Sequence, residues 1–253
     1  MTTILQQVIN GVSIGSVYAL IAVGYSLVYS ILKFSNFAHG GVLMLGSYFG
    51  FFALTLLNVP FWLALPLAIV GAGLLGVLNE RLAYRPIRIR NSPLLYLMIS
   101  SLGASIFLEN FTIVTIGPNF RTYPEVFPIK PFIIGDLSIG RLDVIIFVIA
   151  AISMILLTWI IYGTRMGNAV RATSYNMRVA SLMGINPDWI VALVFFLAGA
   201  SAGLGGVLFG IKYTVWPQMG ALTLKAFIAA VVGGLGSLPG AVLGAMVLGV
   251  TET

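Results

Sequence analysis

Cysteine is missing from all 253 residues, so disulfides, thiolate catalysis and cysteine-ligated metals are excluded. Histidine occurs once, at His39. A single imidazole makes no metal site without several partners, and no acid stands near it in sequence to complete a Ser/His/Asp set. Charged residues are few, 8% of the chain, against about a quarter in a soluble globular protein. So small a share cannot cover the surface of a water-soluble domain. The glycine-rich run GGLGSLPG, residues 233–240, lacks the Lys-Ser/Thr pair of a phosphate loop, and no βαβ unit surrounds it. Nothing in the residue pattern points to an enzyme.

What is abundant is apolar. Hydrophobic residues make up 59% of the chain and the mean hydropathy is +1.06. The apolar stretches are long and continuous, without the alternation of barrel strands, which predicts an all-α integral membrane protein, a polytopic helical bundle. The net charge of +6 and the pI near 9.7 express a bias of the loops in such a protein rather than nucleic-acid binding. No cleavable leader is expected: residues 1–10 lack a basic segment, and the first apolar stretch is long enough to span.

Taken in order, the runs predict about seven to eight membrane segments, including broken or re-entrant helices. The first is about 4–32, followed by the polar KFSNFAHGG at 33–41, then apolar runs at 42–57 and 61–78. The next loop carries Arg81, Arg85, Arg88 and Arg90, a cytoplasmic signature under the positive-inside bias. A fourth span, about 93–116, leads to a polar excursion at about 117–143. There Arg121, Glu125, Lys130, Asp136, Arg141 and Asp143 cancel, as expected outside the cytoplasm. Part of this stretch suits a small hairpin-like cap on the outer face. The fifth span, 144–161, returns to a second arginine-bearing loop, so the two loops should share a side; counting back places the N-terminus outside. A sixth span, 189–211, is rich in small residues that permit close helix packing. Between Leu222 and Val232 there is room for roughly half a bilayer of helix at ~1.5 Å per residue, and GGLGSLPG must break it. Such a break survives at membrane depth only where protein or water covers it.

The stretch from Tyr162 to Pro187 is the longest polar interruption that is itself helix-forming. Arg165, Arg171 and Arg178 lie along it, with no acid until Asp188. Ser174 or Asn176 can cap a short helix, 176–183, which Gly184 closes and Pro187 keeps from resuming. On that helix Val179 and Met183 sit one turn apart, while Ala180 and Gly184 leave a flat strip of small residues. A knob, a smooth strip and positive flanks suit docking into a cleft of a cytoplasmic partner. An amphipathic connector resting on lipid headgroups reads the same residues equally well.

Glu109 and Lys225 are ionisable residues placed within or close to the membrane, where an unpaired charge is expensive. Each either marks a substrate path or has a local explanation: a hydrogen-bonded structural Glu109, a Lys225 snorkelling to an outer boundary. Asn36 and His39, with Ser35, either line the path or close a helix break.

Three stretches resemble the membrane permease of bacterial branched-chain amino acid ABC importers (the LivH type): NFAHGGVLMLGSYFG at 36–50, MGNAVRATSYNMRVASLMGIN at 166–186 and LKAFIAAVVGGLGSLPGAVLGAMVLG at 224–249. They lie near the start, middle and end, so the resemblance covers almost the whole chain. It implies one transmembrane permease domain over 1–253, multi-pass in the bacterial cytoplasmic (inner) membrane. It implies that 163–187 is the coupling-helix region, with Arg171, Arg178, Ala180, Met183 and Gly184 at the contact with an ATPase. The importer coupling pattern E-A-A-x-x-x-G is matched at Ala180 and Gly184 and departed from at Arg178 and Val179. The implied partners are a second homologous permease, two ATP-binding cassette subunits that bind the ATP and Mg, and an extracytoplasmic solute-binding protein. No cofactor is expected in this chain itself. A further hydrophobic span and a short basic tail beyond Thr253 are also implied. The competing reading is a self-sufficient secondary transporter or channel using Glu109 or Lys225.

Overall fold

A computed structural model describes the chain except for residues 1, 91, 128–131, 135 and 136. The first apolar run forms α1 (Thr2–Leu32), 31 residues, roughly 46 Å long and so more than a bilayer core. It is followed by α2 (His39–Thr55) and α3 (Phe61–Asn79); a π-helical turn (Glu80–Tyr84) continues α3 into the short α4 (Arg85–Ile89). Then come α5 (Leu94–Ile116), a two-stranded antiparallel hairpin β1 (Phe132–Ile134) and β2 (Leu137–Ile139), and α6 (Arg141–Gly163). Two short helices, α7 (Arg165–Tyr175) and α8 (Met177–Leu182), precede α9 (Pro187–Lys212). A 3-10 turn (Pro217–Ala221) leads to α10 (Leu222–Gly233) and α11 (Leu238–Glu252).

Among the described residues five helices are long and apolar enough to cross a membrane, and six spans result if α10 and α11 count as one bent pair. α2, of 17 residues, is shorter than these and largely buried within the bundle. The expected seven to eight segments are therefore a matter of how broken helices are counted.

α1 and α9 form the buried axis. α3 and α2 pack on α9, α11 and α10 on α1, and α5 and α6 stand at the periphery with Ile106, Phe107, Val114, Ile155 and Trp159 exposed. Because lipid is as apolar as leucine, close backbone approach rather than water exclusion holds such helices together. At Gly199 a Cβ would come within 2.5 Å of the Ala72 carbonyl on α3, and at Gly11 within 2.7 Å of the Val250 Cα on α11. Any larger residue at either position would push the pair of helices apart.

Both predicted breaks are present and covered. After Leu32 the chain turns at Lys33 (φ +56°) and runs non-helically to Ala38. Here the Phe37 N–H donates to Ser101 Oγ at 3.2 Å, and Ser101 Oγ bonds the Met98 carbonyl at 2.7 Å, so α5 satisfies the freed backbone. Between α10 and α11 the axis turns by 119° at Gly234 and Gly236, whose φ values of +99° and +90° are open to glycine at no steric cost. The Gly236 N–H donates to Ser26 Oγ on α1 at 2.8 Å.

At the end away from the arginine loops, Lys212 pairs with Asp143 at 2.6 Å and contacts Ser13 of α1. Arg121 bridges to Val215 backbone-to-backbone. Tyr123 Oη donates to the Ser47 carbonyl at 2.6 Å, and burial pushes its ionisation well above the usual range. This end carries the N-terminal half of α1, as the backward count of spans expects. The hairpin cap is realised in β1 and β2, paired Phe132 to Ile139 and Ile134 to Leu137. Lys130 and Asp136 of the charge-balanced loop lie outside the described residues.

Candidate functional site

The arginine-bearing loops lie at the same end, as their shared charge bias predicts, and the first of them reaches the start of α9, just past the second. Asp188, in the first turn of α9, accepts from Arg85 at 2.9 Å and from Arg88 at 2.8 Å. The other fork of Arg88 reaches Glu80 at 2.8 Å. Glu80 is completely buried on the π-helical turn, and its second oxygen is approached by Arg81 at 3.6 Å. The extra residue of the π turn rotates the chain so that Tyr84, also fully buried, donates to Asn36 Oδ1 at 2.8 Å. Its ring lies against Phe34 and Phe195. An ion-pair chain thus runs from the start of α9 through Arg88 to Glu80 on the π turn, and the same turn carries Tyr84, whose separate hydrogen bond reaches Asn36 in the helix break at 33–38.

The stretch that enters α9 is shaped by caps. Thr164 Oγ1 accepts from the Gly167 N–H at 3.1 Å to start α7. Of the two expected caps for the next helix, Asn176 serves: its Oδ1 accepts from the N–H groups of Arg178 and Val179 at 3.0 and 3.1 Å. Ser174 instead bonds back to the Arg171 carbonyl. Gly184, at φ +82°, closes α8. Pro187 stands at the first position of α9, where its missing N–H costs nothing, and Asn186 caps that helix through the N–H groups of Asp188 and Trp189.

The expected contact residues fall on different faces. Met183 is 78% exposed, Val179 is exposed, and Leu182 and Tyr175 are 81% and 94% exposed. Ala180 is buried, 3% exposed, so the flat outward strip expected from Ala180 and Gly184 is not formed: Ala180 packs inward and the outward face is large and apolar. Gly184 has open space around it and is required for its backbone angle. Arg178 is exposed. Arg171 is tied back, donating to the Ile161 carbonyl and Asn168 Oδ1 and lying 5.4 Å over the Tyr162 ring. Tyr175 and Leu182 were not among the sequence candidates, although Leu182 stands three residues past Val179 and so belongs to its face.

The four membrane-level candidates do not converge. Glu109 lines a cavity of about 370 Å³ between α2, α5 and the 3-10 turn, with Phe37, Ser105, Gln218 and Thr223. Asn36 is engaged by Tyr84. His39 is buried, its Nε2 3.2 Å from the Ile21 carbonyl and its ring edge-on to Tyr25, so it fastens α2 to α1 at the break. Lys225 pairs with Glu252 near the Tyr18 ring. Among the described residues no three His, Asp or Glu side chains lie together as metal ligands would.

The family described as branched-chain amino acid transport system / permease component matches residues 7–253. The chain belongs to that family. It is 42% identical to the high-affinity branched-chain amino acid transport system permease protein LivH of Escherichia coli K12, over 98% of this chain and 84% of LivH. It is 41% identical to the corresponding BraD protein of Pseudomonas aeruginosa, over 98% and 85%. A shorter likeness, 32% identical over 47% of this chain and 35% of the relative, is to the autoinducer 2 import system permease protein LsrC of E. coli. The permease is thus a multi-pass helical membrane subunit of the ABC transport class, as its three motifs imply. Its Glu80–Arg88–Asp188 chain escaped the sequence reading because Arg88 and Asp188 are 100 residues apart. The available signal was Glu80, the one acid in an arginine-rich loop.

Proposed function

We propose that this permease carries branched-chain or related neutral amino acids across the cytoplasmic membrane as the non-catalytic pore subunit of an ATP-driven importer. In this reading a second, similar permease completes the pore and an extracytoplasmic binding protein delivers the solute. Two ATPase subunits, which bind the ATP and Mg²⁺, dock on the α7–α8 surface. The observation that carries the reading is the apolar face of Tyr175, Val179, Leu182 and Met183, exposed outside the spans and followed by Asp188, whose ion pairs reach the π turn through Arg88 and Glu80. Closure of the ATPases displaces α8. The three residues between α8 and Asn186 transmit that motion to α9, and the ion pairs carry it to the π turn, whose Tyr84 passes it to Asn36 and α2.

Uptake by membrane vesicles after ion gradients are collapsed tests the coupling. ATP-dependent leucine uptake and co-purification of an ATPase are expected for the wild type and lost in Gly184→Trp, since a side chain at φ +82° strains the turn that orients α8. Gradient-driven uptake without an ATPase would establish instead the ion-coupled carrier using Glu109 or Lys225.

A neutral amino acid still carries an ammonium group, and Glu109 offers it a carboxylate in a half-buried cavity. Glu109→Gln should raise the KM for uptake about tenfold, the equivalent of one charge-assisted hydrogen bond. An unchanged KM would remove Glu109 from the path.

A further inference from the structure

Two adjoining features on the outside of the bundle hold nothing in the proposed transport cycle, although Tyr175 of the proposed docking face also borders the first of them. The first is a cleft of about 340 Å³ at the arginine-loop end of α1, lined by Ser30, Lys33, Tyr162, Arg171, Ser174 and Gly236, among others. Among the described residues no carboxylate lines it. Glu80 and Asp188, the acids described at this end, are engaged by Arg88 and Arg85. Arg171 is held there by neutral acceptors, the Ile161 carbonyl and Asn168, so its charge is oriented but not neutralised. Lys33 is exposed at the end of α1. The hydroxyl protons of Ser30 and Ser174 are given to the Leu27 and Arg171 carbonyls, which leaves the two cations to define what the cleft attracts.

The second feature is an apolar groove of about 830 Å³ between α6 and α11, lined by Met154, Ile155, Trp159, Val242 and Leu243. Ile155, Trp159 and Leu243 are each more than half exposed. Tyr162 lines both the groove and the cleft, so the cationic end and the apolar end are continuous. The continuity places two positive charges at the interface level of the spans and a hydrocarbon-lined channel immediately beneath, beside an interfacial tryptophan and tyrosine.

We propose that this composite site holds an anionic phospholipid of the cytoplasmic leaflet, its phosphate between Lys33 and Arg171 and an acyl chain along the α6–α11 groove. A free phosphate or an acidic protein segment would satisfy the cations but would leave the groove unfilled. A zwitterionic lipid would fill the groove but bring its own cation to the cleft. Bound there, the lipid would brace α7 against the ends of α1, α6 and α11.

Dibrominated phosphatidylglycerol, titrated into the full-length protein in detergent, quenches nearby tryptophan. The Trp159 signal is the difference between wild type and Trp159→Phe. Saturable quenching is expected with brominated phosphatidylglycerol and much weaker quenching with brominated phosphatidylcholine. Lys33→Gln and Arg171→Gln should each weaken binding about fivefold, the worth of one cation at an anionic surface, while Lys33→Arg and Arg171→Lys retain it and show that the fold is intact. Equal quenching by the two lipids, or no effect of either charge removal, would overturn the proposal. So would full displacement of the lipid by inorganic phosphate, which marks a free-anion site, or by the reconstituted ATPase subunits, which marks a protein contact.

Discussion

Arg88→Leu lowers the stability of the permease by about 3–5 kcal/mol, the cost of breaking a buried ion pair by removing one partner. Arg88 is the middle member of the chain, donating to Glu80 and Asp188 at 2.8 Å each. Glu80 is wholly buried, so without Arg88 its charge has only Arg81, 3.6 Å from its other oxygen and 42% exposed. Asp188 keeps Arg85 and loses less. Arg88→Lys should fall in between, since one ammonium cannot present the planar fork that spans two carboxylates. Adding Glu80→Gln to Arg88→Leu should recover part of the loss by deleting the stranded charge. Thermal unfolding in detergent, followed by the fraction that remains monodisperse, measures all four proteins. A change in Arg88→Leu within the ~0.5 kcal/mol typical of surface substitutions would show that the chain is not a structural tie.

Leu182→Asp combined with Met183→Asp abolishes ATP-driven uptake while leaving thermal stability within about 0.5 kcal/mol of wild type. Both side chains are more than three-quarters exposed, so the permease by itself loses little packing. In the proposed complex they are buried apolar anchors, each worth ~2 kcal/mol or more at the centre of an interface. The pair therefore weakens ATPase association by about a thousandfold, and a buried carboxylate without a partner adds to the loss. Co-purification reads the association and amino acid uptake reads the consequence. Ala180→Leu has a different signature, because Ala180 is buried against the body of the protein: it should lower stability together with coupling. Normal uptake and a retained ATPase in the double variant would place the docking surface elsewhere.

The spans, the two helix breaks and the capped stretch at 163–187 were all readable in the chain because each rests on local chemistry. A long apolar run in lipid is satisfied only as helix, GGLGSLPG breaks one at residues 234–237, and Asn176 and Gly184 bound a helix wherever it lies. The partnerships were not readable. Lys225 looked like a lone cation near the membrane and is paired with Glu252, 27 residues on. His39, read as lining the path or closing the helix break, sits at that break, but its partner there, the Ile21 carbonyl of α1, was not legible in the sequence. On α8 the small residue was assigned to the outward strip, whereas α8 packs Ala180 inward and sets Leu182 outside.

Local composition by itself therefore determined that this protein lives in a membrane, roughly where its spans lie, and which segments carry the positive charge; it ended the third helix at 78, whereas the π turn and α4 carry the helix on to Ile89. Only the tertiary structure decided which side of each helix meets protein and which meets lipid or a partner. The physical reason is the solvent: a helix that is apolar all round has no stripe to declare its buried face. Its orientation is instead set by glycine contacts and ion pairs formed with residues far along the chain.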